Sequence, residues 1–592
     1  MGPLARLAHR MTDDTRRVRV VPAHAPAGSF RRYILSTDHK TIGIQFLITG
    51  TFMALLGALL ALIMRVQIAW PGAEVPIVGA TLFPGTGGSV PPDVYAALFT
   101  LHGTIMTFFV IIPLLTGAFG NYLIPLMIGA HDMAFPKLNA LSYWLLWPGI
   151  VFIVLAFGAP GGGPGAGWTA YAPLSTIGAY APGSLDGQTY WLLAVTFAGL
   201  SSLVGSINYL VTVVKMRAPG LTLGKLPLTV WGLCIAAVIQ LMALPVLTSG
   251  AAMMAMDRVF QAGFFSPSQG SGEPLLWQHL FWFYSHPAVY VMVLPAMGLV
   301  SDIMSVHARK AIFGYGAMVM SMLTIAGLGF IVWGHHMFTS GMDPRLELGF
   351  LSSTVLIALP SGVKVFNWIA TLWGGRIRLT AAMQFAIGFV ALFIIGGLSG
   401  LWLASTPNDA YLHDTYTVVA HFHYIVVGGS LLAMFGGIYH WFPKMVGRRL
   451  SESLGTIHFV GTFVLLNCVF LPMHQLGFAG MIRRTYDPYT LPGMEALQPL
   501  NAFVTWSAML LGLWQLWFLV NVVLALVAGP ASGRDPWRAR SLEWRAPSPP
   551  GPGNFDAPVA AGAGPYAYGL GLDDDLRAAR PQDDVARTGG QA

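Results

Sequence analysis

Hydrophobic positions along this chain neither alternate nor recur on one helical face; they run together. Stretches of about 20 apolar residues, the length that crosses a ~30 Å hydrocarbon core, return throughout the chain, separated by short loops rich in Gly, Pro and charge. Twelve of them are predicted as membrane-spanning helices, over 42–67, 95–127, 140–158, 189–214, 227–249, 277–303, 312–336, 347–373, 381–404, 415–441, 456–478 and 501–528. The fold class this implies is all-α: a polytopic bundle of about twelve transmembrane helices within residues 38–528. Residues 1–37 form a basic arm that lacks the apolar core of a secretory signal. Residues 529–592 are rich in Pro, Gly, Ala and charge, a composition that predicts a largely disordered tail from about Gly533. The tail has no Cys-x-x-Cys-His, so no c-type haem is expected there.

Composition sharpens the picture by exclusion. Of 592 residues, 55% are hydrophobic and 10% charged, where a soluble chain carries roughly 25% charged. With a mean hydropathy of +0.63, too little polar surface is available to keep a soluble protein of this length in water. The two cysteines, Cys234 and Cys468, both lie in apolar stretches, so neither a disulfide framework nor a thiolate-rich metal site is expected. The net charge of +7 does not indicate a nucleic-acid partner, because the basic residues are scattered through short loops.

Placement of Lys and Arg sets the expected orientation. With the N-terminus inside, only Arg258, Arg345, Arg483 and Arg484 fall outside, while Arg65 and Lys364 lie within spans. All the others collect on the inner side, so the positive-inside rule predicts that both termini are cytoplasmic.

Depth can then be counted at 1.5 Å per residue. His102, His286, His335, His336, His421 and His423, on four predicted helices, fall in one slab roughly 10 Å below the outer surface. A single intramembrane histidine is ordinarily a hydrogen-bonded core residue, and His279, His440, His458 and His474 are read that way. Six at one level point instead to bound metal. At 100° per residue, His421 and His423 point some 200° apart and must serve two different sites. His335 and His336 are adjacent and can converge on one ion if the helix loosens there. His286 and Tyr290 share a helix face. Imidazole suits iron and copper, and nothing rich in sulfur competes.

Six motifs carry a family likeness: WGHHMFTSGMDP, SHPAVYVMVLP, PSGVKVFNWIATLWGG, LHDTYTVVAHFHY, GNYLIPLMIGAHDMAFPKLN and AGMIRRTYDP. In this order and spacing they resemble subunit I of the haem–copper terminal oxidases, over roughly residues 38–528. The resemblance implies an enzyme that reduces O2 to water with electrons from cytochrome c and pumps protons across a bacterial-type cytoplasmic membrane. It implies His102 and His423 as axial ligands of a low-spin haem and His421 as the ligand of a high-spin haem. It implies a copper on His286, His335 and His336, with Tyr290 covalently bonded to His286. His413 and Asp414 match a magnesium site at a subunit interface, and Arg483 and Arg484 match a pair that binds haem propionates. Arg65 matches the arginine beside the formyl group of an A-type haem. Implied partners are a subunit II carrying the entry copper centre, further oxidase subunits, cytochrome c, O2 and the lipid bilayer.

The same resemblance gives meaning to polar residues that would otherwise carry little. Lys364, with Ser361, Ser301 and Tyr290, matches the family's lysine channel for protons. Asp132 matches the mouth of a second channel, for which Asn121, Asn139, Ser142, Ser201, Ser202 and Asn208 supply polar groups. One departure is plain: where most relatives have Glu between the Pro and Val of the sixth-helix motif, this chain has Ala288. One turn earlier stand Tyr284 and Ser285, as in the oxidase subgroup with Tyr-Ser in place of Glu, and the Tyr284 hydroxyl can reach the same space. Quinol-oxidising relatives carry a His and a Gln where this chain has Val94 and Ala97, which disfavours a quinol donor. From a different class, a twelve-helix secondary transporter would also have this hydropathy, and it would bind no metal.

Overall fold

The computed structural model describes residues 33–176, 185–269 and 272–568. The predicted basic arm up to residue 32 and the tail from residue 569 lie outside the described residues. Eleven helices among those described are long and apolar enough to cross a membrane. They are α1 (His39–Ala69), α2 (Pro92–Ile128), α3 (Pro136–Phe157), α4 (Asp186–Lys215), α5 (Leu228–Phe260) and α6 (Pro274–Ala308). After the shorter apolar α7 (Tyr315–Gly329) come α8 (Pro344–Leu372), α9 (Ala381–Ala404), α10 (Tyr416–Val446), α11 (Glu452–Phe478) and α12 (Met494–Ala528). All twelve predicted spans therefore have a helix, and no extended strand is present among the described residues.

Local chemistry sets the ends. Asp38, Glu273, Asp343, Thr380, Thr415 and Ser451 each accept a hydrogen bond from a backbone N–H of the first turn, satisfying donors that a helix start leaves unpaired. Proline opens α2, α3, α6 and α8, where its missing N–H costs nothing. The seventh helix differs from its prediction over 312–336. It stops at Gly329, and Trp333–Met337 is a separate 3-10 turn. The run of Gly327, Gly329 and Gly334 removes helix propensity there.

The most buried of these helices, α6, is the axis of the bundle, with 89% of its most apolar window buried, against 11% for α12 at the rim. Its closest neighbour is α5, and small residues set that approach. A Cβ at Gly232 would stand 2.5 Å from the Leu294 carbonyl oxygen, and one at Gly298 would stand 2.5 Å from that of Leu228.

The expected disorder beyond Gly533 does not hold for the described part of the tail. Residues 529–568 wrap over the end of the bundle where α2, α10 and the start of α5 meet. Lys444 donates to the carbonyls of Ala546 (2.6 Å) and Arg534 (3.1 Å), and Trp537 Nε1 donates to that of His440 (2.8 Å). Asn554 donates to Ala130 O (2.8 Å) and pairs with His39 and Lys40. The Tyr566 hydroxyl bonds to Asp302 and accepts from Leu228 N (2.8 Å). Composition misread this stretch because a few buried anchors, Leu542, Glu543 and Trp544, hold a backbone that is otherwise Pro and Gly.

Candidate metal centres and proton paths

Three of the six histidines converge. Single ligand atoms of His286, His335 and His336 lie within 4.8 Å of one another, the one such cluster of three among the described residues. His286 Nδ1 is 3.1 Å from His336 Nε2, too near for two facing lone pairs unless a proton or a cation sits between them. The 3-10 turn does what an unbroken helix could not, turning two consecutive side chains towards α6. Trp282, one turn before His286, lies flat on His336 at 3.8 Å and 11°, and Thr354 on α8 holds His335 Nδ1 at 3.0 Å. The helical spacing to His286 could have flagged Trp282; no local signal points to Thr354.

The other three histidines share a different feature. His102 Nδ1 bonds to Gly57 O (2.8 Å), His423 Nδ1 to Val419 O (2.8 Å) and His421 Nδ1 to Gly396 O (2.9 Å). Each carbonyl fixes the Nδ1–H tautomer and leaves the Nε2 lone pair for a ligand, the usual state of a metal-bound histidine. The rings of His102 and His423 are parallel within 12° with centroids 6.5 Å apart. Two metal–nitrogen bonds of ~2 Å plus the two ring radii add up to roughly that separation. His421 points away, towards α9, where Ser399 also contacts it (3.1 Å) and a Cβ at Gly400 would stand 2.8 Å from the ring. Both α2 and α10 widen into π-helical turns, at Ile105–Ile111 and Val426–Leu431, just past His102 and His423. Such turns re-aim side chains and recur at functional sites.

The flanking charged groups fit prosthetic groups as well. Arg65 donates to Asn501 and Thr505 on α12, and its charge also acts on the neighbouring Tyr416. Arg483 binds Asp414 through Nε (2.6 Å) and Nη2 (2.5 Å), and Arg484 lies over the Phe99 ring. Burial disfavours ionised Asp414, yet Arg483, His413 and Arg484 hold its carboxyl below the usual range. Burial and the neighbouring Arg483 push Arg484 down to about 10. Two guanidiniums against one carboxylate leave positive charge in surplus, which suits added anions. His413 bonds to Asp409 (3.0 Å) and comes within 4.0 Å of Asp414.

Tyr290 stands edge-on to His286 at 4.8 Å, and the buried His286 Nε2 has no hydrogen-bond partner among the described residues. Lys364 is fully buried, its Nζ without a hydrogen-bond partner among the described residues and 5.2 Å from the Trp368 ring, while Trp368 Nε1 donates to Ser301 Oγ (2.9 Å). Ser361, half-buried, lies one turn before Lys364 on α8. Asp132 lies in the turn between α2 and α3, accepting from Met133 N; Asn208 shapes the same turn by accepting from Phe135 N (2.9 Å). Beyond it, Asn121 and Asn139 are fully buried with unpaired amide atoms. Ser142, Ser201 and Ser202 line a cavity of about 20 Å³ with Tyr209 and Gln240, enough for a water molecule. Tyr284 is buried and stacks on Phe108 (6.2 Å, 17°), and the neighbouring Ser285 Oγ has no partner. Of the histidines read as core residues, His440 pairs with His307 (3.0 Å), His458 with Tyr439 and Gln515, and His279 with Trp333. His474 packs its ring against Tyr424 (5.7 Å) and Phe478 (6.4 Å).

Fold and site together define a polytopic membrane protein whose buried histidines are arranged as metal ligands are. Residues 41–533 match the family model described as Cytochrome C and Quinol oxidase polypeptide I. The chain is 45% identical over 553 residues to cytochrome c oxidase subunit 1 of Thermostichus vulcanus, covering 93% of this chain and 95% of that relative. It is 41% identical to cytochrome c oxidase subunit 1 of Cereibacter sphaeroides, over 90% of this chain and 96% of that one. A solved haem–copper terminal oxidase dimer shares the fold, with a TM-score of 0.67 at 19% identity over 88% of each chain. The chain belongs to the cytochrome c and quinol oxidase polypeptide I family. It is the catalytic subunit of a respiratory terminal oxidase, a membrane-embedded oxygen reductase of a family that implies haem, copper and an oxidase complex. Neither a quinol oxidase nor a transporter without redox centres is favoured.

Proposed function

We propose that this chain takes electrons from cytochrome c through a subunit II bearing the entry copper centre, reduces O2 to water, and couples that reaction to proton pumping. In this reading His102 and His423 hold a low-spin haem, His421 a high-spin haem, and His286, His335 and His336 a copper. The observation that carries it is the anchoring of three Nδ1 atoms on carbonyls beside a separate three-histidine cluster. When bound, the haems and copper supply one-electron redox chemistry, and O2 takes up four electrons and four protons to leave as two waters.

This chain's own side chains deliver the protons. Lys364, buried without a counter-ion among the described residues, carries protons towards Tyr290, which stands beside the histidine cluster and gives up its hydroxyl proton there. The unpartnered His286 Nε2 and the nearby Tyr290 ring support a bond between them. Asp132 collects protons for a second path through Asn121, Asn139 and the cavity at Ser142, Ser201 and Ser202, with Asn208 fixing the entrance turn. Tyr284 and Ser285 then relay protons by hydroxyl exchange where relatives have a carboxylate. Arg483 and Arg484 would hold haem propionates, and Arg65 would meet the formyl group of an A-type haem. His413 and Asp414 hold Mg2+ against subunit II, and further subunits complete the oxidase. Both termini, with the basic arm of residues 1–37 and the tail of residues 529–592, face the cytoplasm, as the loop charges support. Metal analysis and reduced-minus-oxidised spectra of the purified complex test the whole reading. They should give two haem signals and one copper in this subunit; a protein without haem would end it.

A further inference from the structure

The small cavity beside Ser142, Ser201 and Ser202 has a further polar wall on α5. Gln240 stands there, 2% exposed, in the otherwise apolar run 235–247. Ser206 has one hydroxyl proton and two acceptors in reach, Ser202 O at 2.8 Å and Gln240 Oε1 at 2.6 Å. If that proton goes to Ser202 O, the amide turns so that its NH2 donates to Ser206 instead. In either arrangement one end of the Gln240 amide keeps no partner among the described residues. An orphaned amide end inside a membrane is costly, and a bound water would satisfy it. The cavity, about 20 Å³, is the size for one. Its other oxygens are ready to accept from that water. Ser142 donates to Asn139 O (2.7 Å), Ser201 to Ser142 O (2.7 Å) and Tyr209 to Thr116 O (2.7 Å). Each has spent its single proton and keeps lone pairs. Depth adds a second observation. On the antiparallel pair α5 and α6, Gly232 meets Leu294 and Gly250 meets Leu280. Counted between those contacts, Gln240 comes level with the turn of α6 that carries Ser285 and Ala288.

We propose that Gln240 is a positioning residue of the second proton path, holding a water that passes protons from the serines of α3 and α4 to the hydroxyls of α6. The inference rests on the reading of Asp132 as the mouth of that path. The amide does not ionise. Its water takes a proton from the serine side and releases another towards Ser285 and Tyr284, so the number of protons at the site is unchanged after each transfer. Gln240 thus supplies, at the level of Ala288, part of the polar continuity that a carboxylate would give. The test compares the whole oxidase complex as wild type, Q240M, Q240E and D132N, reconstituted in vesicles. Q240M keeps an unbranched side chain of similar volume and removes both polar ends. It should slow oxygen turnover several-fold and lower the protons ejected per electron, with unchanged haem spectra. Q240E, which can still hold the water, should restore most of both. A cryo-EM map of the wild-type complex should show an ordered water within hydrogen-bond distance of the Gln240 amide. Wild-type pumping in Q240M beside lost pumping in D132N overturns the role of Gln240 alone, whereas wild-type pumping in D132N overturns the path on which it rests. Equal impairment of Q240M and Q240E, or no ordered water at the amide, also overturns the proposal.

Discussion

His421 and His423 are two residues apart, yet their Nδ1 atoms lead to carbonyls on different helices, Gly396 on α9 and Val419 on α10. Each can therefore be lost on its own. H421A should remove the high-spin haem signal and spare the low-spin one, and H423A the reverse; visible spectra of correctly inserted variants check this. Equal loss of both signals from either variant would contradict the assignment of faces. Lys364→Met keeps the volume of a buried side chain but removes the only cation near Trp368 among the described residues. Oxygen uptake should drop by ~10²-fold or more, the scale of a lost proton-transfer group, with both haems and copper retained. Tyr284→Phe removes one hydroxyl and keeps the stack on Phe108. Turnover should slow several-fold with fewer protons ejected per electron in vesicles, and adding Ala288→Glu should restore part of both. Wild-type pumping in the single variant would make Tyr284 a packing residue.

At the level of elements, hydropathy was a good guide to where helices lie and a poor one to where they bend. The predicted seventh helix ran through His336, because an apolar Gly-rich run and a continuing helix have the same hydropathy. The break at Gly329 is what brings His335 and His336 onto one site. The π turns in α2 and α10 are equally silent in the sequence. The wrap of residues 529–568 makes a pH prediction. Burial pushes Glu543 up to about 7 and Asp535 up to about 6. Both stay protonated in the docked wrap at pH values where free carboxyls are ionised. Docking is therefore strongest below the ordinary carboxylate range and weakens as pH rises through 5 to 7. Hydrogen exchange in 535–568, corrected for intrinsic rate, should be faster at pH 8 than at pH 5.5. Glu543→Gln should reduce that difference; an unaltered pH dependence would exclude Glu543 as its source.

For the molecule as a whole, the distribution of positive charge sets the orientation prediction. Arg376 and Glu495, both exposed, lie at opposite ends of the bundle. In intact cells an impermeant maleimide should label Glu495→Cys and leave Arg376→Cys unlabelled; the reverse pattern would invert the topology. The sequence by itself determined where the twelve apolar helices lie, and it predicts the direction of the chain and the depth of the six histidines. Those quantities depend on transfer from water to hydrocarbon and on a fixed rise per residue, and both are sums over local composition. Which histidines share a site, the Nδ1 anchors on Gly57 and Gly396, the flat contact of Trp282 on His336 and the ordering of the tail were decided only in the tertiary structure. Each of these depends on a carbonyl, a ring or a lysine brought from a distant helix, and on the rotation of helices about their axes. Hydropathy is blind to that rotation when a helix is apolar all round.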